Sequence, residues 1–200
     1  MAKNTPCEVD EKKRKFLLRA TGLMGSIGAA AALTPFISSM KPSAKAVAEG
    51  GPVSVKVGKM KPGDQLTVIW RGKPIWIIKR DEAMLNTLKS DKNNLRDPNS
   101  TSDQQPQYAQ NSYRSRRPEY LVLVGVCTHL GCSPTYRPEP KSIDPAWPGG
   151  FFCSCHGSKF DLAGRVYKGV PAPINLEVPP YVFADNDTII IGTNQVPVTT

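Results

Sequence analysis

Both histidines of this chain and four of its five cysteines fall in two six-residue stretches. The first is Cys127-Thr-His129-Leu-Gly-Cys132 and the second is Cys153-Ser-Cys155-His156-Gly-Ser158. No other feature constrains the fold as strongly, because soft thiolates and borderline imidazoles clustered this way point to a metal centre. Cys-x-His in one stretch and Cys-x-x-His in the other supply two thiolates and two imidazoles. Zinc and an iron–sulfur centre are both compatible with that donor set. A simple structural zinc site would leave Cys132 and Cys155 without a task. One of these extra cysteines sits in each stretch, so a disulfide between them would tie the two loops together. Gly131 and Gly157 stand beside the ligands and let backbone amides approach metal-bound sulfur.

The N-terminus sets the compartment. Residues 12–19 read Lys-Lys-Arg-Lys-Phe-Leu-Leu-Arg, and no charge follows from Ala20 to Met40. A helix rises about 1.5 Å per residue, so this run can cross a hydrocarbon core of about 30 Å. A cleaved secretory signal ending at Ala44-Lys45-Ala46 fits less well, because the uncharged run exceeds the usual apolar core of such a peptide. A retained anchor is expected. The basic residues before it should hold the N-terminus in the cytoplasm, which places the rest of the chain on the more oxidising side. Arg14-Lys15-Phe16-Leu17-Leu18 resembles a twin-arginine export signal with Lys in the second basic place. Such signals serve proteins exported already folded, often with a cofactor inserted. The expected organisation is a cytoplasmic segment at 1–15, an anchor at 16–40, a tether at 41–51 and a folded domain at 52–200. Cys7 falls on the cytoplasmic side as a free thiol without a role.

The exported part reads as mainly β. Val53 to Val57 and Leu66 to Trp70 alternate with period two, and Arg71-Gly-Lys-Pro74 turns the second run into Ile75–Ile78. Asp81 to Lys89 has Met84, Leu85 and Leu88 on one face, which predicts a helix. Residues 90–117 read as a polar surface loop whose Arg114, Arg116 and Arg117 form a solvated face. Tyr120 to Val124 is a buried strand, and Tyr181–Phe183 with Thr188–Ile191 is a last hairpin. The formal charge of +9 admits an acidic partner or an anionic membrane face. Nucleic acid is not expected, since aromatic residues do not interleave with the basic ones. There is no Gly-rich phosphate loop, no Gly-x-Ser-x-Gly elbow and no convincing pair of carboxylates.

The two-loop motif resembles that of the Rieske iron–sulfur proteins. The membrane span and the stretch Gly169-Val-Pro171-Ala-Pro173-Ile-Asn-Leu-Glu-Val-Pro179 are similar to the Rieske subunits of ubiquinol–cytochrome c reductase. The resemblance implies an antiparallel β Rieske domain with a small cluster-binding subdomain at about 125–175, behind one N-terminal transmembrane helix. It implies one 2Fe–2S cluster, with Cys127 and Cys153 on one iron, His129 and His156 on the other, and Cys132 paired with Cys155. It implies that His129 and His156 take a proton and an electron from hydroquinone. The partners implied are cytochrome b and a membrane-anchored c-type cytochrome, in a dimeric complex of the bacterial inner membrane with the Rieske domain periplasmic. Ser158 matches a family Ser that donates to a bridging sulfide, and Leu130 the apolar residue that shields the cluster near the quinone pocket. Two positions depart from the family pattern: Ser154 stands where Pro is frequent, and Phe160 where Tyr is frequent, so the hydroxyl that Tyr would offer a ligand sulfur is missing. A Rieske subunit of another exported oxidoreductase, such as an arsenite-oxidase-like enzyme, is the alternative. A non-redox zinc-binding or thiol–disulfide domain is a remote one.

Overall fold

The computed structural model describes residues 10–43, 46, 50–90 and 93–196. Cys7 and tether residues 44, 45 and 47–49 lie outside the described residues. The chain divides into two compact units, Met1–Val47 and Ala48–Thr200.

The first unit is built on one helix, α1 (Glu11–Ser39). Asp10 caps it by accepting from the Lys12 and Lys13 amides, and Glu11 places an acid in the positive first turn. Its 29 residues reach about 44 Å. Thr21, Ser26 and Thr34 return their hydroxyl protons to the carbonyls of Leu17, Gly22 and Ala30, each at 2.8 Å. The helix thereby satisfies its own polar groups, as a hydrocarbon environment demands.

The second unit holds three antiparallel three-stranded sheets. In the first, β1 (Val53–Lys56) pairs with β9 (Thr188–Ile191), which pairs with β8 (Tyr181–Phe183). The ends of the domain therefore close on each other. In the second, β2 (Gln65–Trp70), β3 (Lys73–Lys79) and β4 (Tyr120–Val124) lie in that order. The hairpin between β2 and β3 turns at Arg71 and Gly72, both with positive φ, as a two-residue type I′ turn requires. Helix α2 (Glu82–Ser90) follows β3, with the Asp81 carboxylate accepting from the Met84 amide at 2.7 Å. Strands β3 and β4 are the core: Ile75, Ile77 and Leu121–Leu123 have no exposed surface.

The third sheet, β5 (Thr135–Arg137), β6 (Gly150–Cys153) and β7 (Ser158–Phe160), carries the second Cys/His stretch as its β6–β7 turn. Trp76 of β3 stacks on Phe151 of β6 with ring centroids 5.4 Å apart, which seats this sheet on the core.

Arg114 corrects the expectation of a basic solvated face, whereas Arg116 is exposed as expected and Arg117 is half-buried. Arg114 is fully buried, and its guanidinium donates to the Ala163 and Gly164 carbonyls and to Gln105 Oε1. Arg116 lies 3.5 Å from the Tyr108 ring centroid and donates to the Tyr181 carbonyl, and Arg117 lies over Phe183 at 4.0 Å. Arg116 and Arg117 thus lay their cations over aromatic faces at the surface, while that of Arg114 is spent inside the domain. Arg80 and Arg165 are buried too. Arg80 donates to the Leu162 carbonyl, while Arg165 pairs with buried Asp161 at 2.7 Å and reaches the Leu88 and Pro98 carbonyls. Three guanidiniums thus bolt down Asp161–Arg165, the segment that leaves β7. The cost of burying these charges is offset because each is multiply hydrogen-bonded.

Candidate metal centre

The two Cys/His loops are constructed alike. In the first, the Cys127 amide donates to the Cys132 carbonyl at 2.7 Å, and the Gly131 amide to the Cys127 carbonyl at 3.0 Å. In the second, Cys153 is the ladder partner of Ser158, and the Gly157 amide donates to the Cys153 carbonyl at 2.9 Å. Gly131 and Gly157 take φ of +83° and +77°, conformations that side chains resist. Their amides close the loops on carbonyls. The backbone amide that reaches the Cys127 sulfur is that of His129.

The disulfide is present and joins Cys132 to Cys155, one from each loop. The sulfurs of Cys132, Cys153 and Cys155 lie within 4.8 Å of one another. Two of those three are consumed by the disulfide, so they do not form a three-thiolate site. The free thiols among the described residues are Cys127 and Cys153, both buried. They interact with each other, and burial together with that proximity pushes the Cys127 thiol up from its ordinary range. Two thiols held together in this way call for a cation to stabilise their thiolates.

The imidazoles stand side by side, with ring centroids 4.7 Å apart and planes at 88°. His129 is half-buried and His156 exposed. The His129 Nδ1 is buried and has no hydrogen-bond partner. Leaving such an atom unpaired is costly, and a metal ion is its natural occupant. Two buried thiols with two imidazoles nearer the surface suit a centre in which one iron takes sulfur and the other nitrogen. The residues present fit a Rieske cluster.

Around this site, Leu130 is 71% and Ile174 41% exposed. Ser158 is fully buried, directly opposite Cys153 in the β6–β7 register. Phe160 is fully buried beneath β6, paired across the strands with Phe151. The Thr128 hydroxyl donates to the Ile174 carbonyl at 2.7 Å. It fastens the first loop to the Pro-rich segment containing Gly169, Pro171 and Pro173. This contact was legible only as a hydroxyl between two ligands.

Residues 100–180 match the Rieske [2Fe-2S] domain family. Residues 4–43 match the family described as the ubiquinol–cytochrome c reductase Fe-S subunit TAT signal. A "Ubiquinol-cytochrome c reductase iron-sulfur subunit" of Allochromatium vinosum is 51% identical over 189 residues, covering 94% of this chain and 91% of that protein. The chain belongs to the family of Rieske iron–sulfur subunits of ubiquinol–cytochrome c reductase. A Rieske subunit of Bradyrhizobium diazoefficiens is 41% identical over 90% of this chain and 94% of its own length. The "Cytochrome b-c1 complex subunit Rieske, mitochondrial" of Candida albicans is 37% identical over 88% and 75%. Family membership brings one Rieske 2Fe–2S cluster, and makes this chain a subunit anchored by its N-terminal apolar helix.

The Phe160 position carries a test. A hydrogen bond to a ligand sulfur stabilises the reduced, more negative state. Phe160→Tyr will therefore raise the reduction potential, with gain of a charged hydrogen bond of about 1.5 kcal/mol corresponding to roughly 60 mV for one electron. An EPR-monitored redox titration checks this. A potential at or below that of the Phe160 protein would show that the hydroxyl does not reach sulfur.

Proposed function

We propose that this chain carries electrons from a hydroquinone to a membrane-anchored c-type cytochrome, as the iron–sulfur subunit of a quinol–cytochrome c reductase in a bacterial inner membrane. The observation that carries the reading is the pairing of an exposed His156 and a half-buried His129 beside two buried thiols, in a chain of this family. Cys127 and Cys153 would hold one iron, and His129 and His156 the other. When bound, the cluster accepts one electron at a potential raised by the exchange of two thiolate anions for neutral imidazoles.

The chain's own residues do the rest. Exposed His156 presents its ring to a quinol hydroxyl and takes the proton, with His129 as the second candidate base. Leu130 and Ile174 offer the apolar surface against which a quinone ring can lie. The second electron of the quinol goes to a haem of cytochrome b. The first leaves through the same exposed imidazole edge to the c-type cytochrome. The organisation proposed is a cytoplasmic segment at 1–15, an anchor at 16–40, a tether at 41–51 and the Rieske domain at 52–200, in a dimeric complex. Lys12, Lys13, Arg14, Lys15 and Arg19 precede the uncharged run at 20–40 and support a cytoplasmic N-terminus. The Cys132–Cys155 disulfide suits a periplasmic domain.

Proton and electron uptake at one site makes the potential depend on pH. Electron gain adds negative charge and strengthens proton binding at a ligand imidazole. Linkage then requires the potential to fall as pH rises, with a limiting slope of about 59 mV per pH unit for one proton per electron. Redox titrations of the purified complex across neutral and alkaline pH will show this fall; a flat profile would exclude His129 and His156 as proton acceptors. Haem analysis and quinol–cytochrome c turnover of the same complex test the reading as a whole. A complex without b- and c-type haems would assign the subunit to a different oxidoreductase.

A further inference from the structure

The Pro-rich loop and the cluster loops meet at one hydroxyl. Ser158 is fully buried and stands directly opposite Cys153 in the β6–β7 register. Its oxygen accepts the Ala172 amide at 3.0 Å. A hydroxyl has two lone pairs and one proton. With the amide on a lone pair, the proton is turned away from Ala172, on the strand position that faces Cys153.

Ala172 is itself fully buried and sits between Pro171 and Pro173. Neither proline has an N–H, so Ala172 supplies the sole amide donor of residues 171–173. The proline rings fix their own φ and restrict the residues before them, so the direction of that amide is rigid. The loop is pinned on its far side as well. The Thr128 hydroxyl holds the Ile174 carbonyl. Fully buried Asn175 accepts from the Val166 amide at 2.8 Å and donates to the Asp97 carbonyl at 3.1 Å. Pro171 and Pro173, by contrast, are exposed.

We infer that the Ala172 amide is a positioning group that aims the Ser158 hydroxyl at the ligand sulfurs, so that the loop Gly169–Pro173 sets the reduction potential through this relay. The inference rests on the iron–sulfur reading above. Chained hydrogen bonds polarise one another, so an amide donating to Ser158 strengthens the donation that Ser158 makes. By reciprocity, reduction favours the loop position that keeps the relay aligned. A partner that shifts Pro171 and Pro173 on docking therefore shifts the potential without touching the cluster.

The test is a double-mutant cycle on the potential, measured by EPR-monitored titration of the full chain in its membrane complex. Ser158→Ala removes the hydroxyl; Ala172→Pro removes the amide proton and sets the ring Cδ in its place, facing the Ser158 oxygen. Each will lower the potential, and the double variant will lie no lower than Ser158→Ala, because the amide acts only through the hydroxyl. A double variant lowered by the sum of the two shifts, or an Ala172→Pro protein at the wild-type potential, would overturn the relay. Hydrogen exchange keeps the question open to test if Ala172→Pro does not assemble. The Ala172 amide will exchange at least tenfold faster in Ser158→Ala than in wild type, and equal protection would remove the proposed bond. A wild-type complex with no signal from a reduced cluster would remove the iron–sulfur reading itself, and the relay with it.

Discussion

Replacing Cys132 or Cys155 with Ser will strip the chain of most of its cluster while leaving all four ligand side chains in place. The disulfide ties the first loop to the second across 23 residues of sequence. Closing a loop of that length is worth about 3 kcal/mol in the chain-entropy account, through the unfolded chain, and in the folded domain the bond joins the two loops directly. Each loop is otherwise closed on itself, Cys127 to Cys132 and Cys153 to Ser158. The disulfide is therefore the main covalent restraint on the distance between them. With it gone, the loops separate and water reaches Cys127 and Cys153, now buried. Iron and acid-labile sulfide per chain will fall in both variants. Full occupancy with unchanged potential in both would show that packing alone holds the loops together.

Stiffening the tether will slow turnover without touching the cluster. We propose that one cluster serving two partners moves between them, with Lys41 to Gly51 as the segment that lets it. Its 11 residues span roughly 36–40 Å extended and about 16 Å as a helix. A coil-to-helix change thus moves the domain by on the order of 20 Å. Ala44, Ala46 and Ala48 favour helix, whereas Pro42, Gly50 and Gly51 break it. The domain-side end is tied down: the Trp70 indole donates to the Gly51 carbonyl at 3.1 Å, and Arg71 Nε to the Gly50 carbonyl at 3.4 Å. Proline at both Ala46 and Ala48 costs a helical tether about 3 kcal/mol per site or more, enough to reduce the helical form at least a hundredfold. Quinol–cytochrome c turnover will fall by a large factor while spectrum and potential stay at wild type. Wild-type turnover in a variant whose chemistry is not rate-limiting would reduce Lys41 to Gly51 to a plain linker.

The meeting of the two Cys/His loops and the Cys132–Cys155 disulfide were legible in the sequence, because ligand chemistry restricts residue type and spacing more tightly than packing does. The long strands were legible for a related reason. Leu66–Trp70 alternates, and Tyr120–Val124 is apolar throughout, as a half-buried and a fully buried strand should be. The sheet that carries the second loop was not. Its strands are three or four residues long, too short to show a period, and Phe151-Phe152 reads equally as loop or strand. Arg114 misled for a different reason. Charge predicts exposure only where no buried partner exists, and its partners include the Ala163 and Gly164 carbonyls, distant in sequence. Arg80 and Arg165 were silent on the same ground. The Ala172–Ser158 bond joins a backbone amide to a side chain 14 positions away, a relation that composition and periodicity do not encode.

The central claim is that this chain holds a 2Fe–2S cluster on two sulfurs and two imidazoles. EPR of the dithionite-reduced full chain, with iron, sulfide and zinc determined on the same sample, tests it directly. The account predicts about two iron and two sulfides per chain, with a paramagnetic signal of the Rieske type that vanishes on oxidation. Stoichiometric zinc, with no colour and no signal, would contradict it.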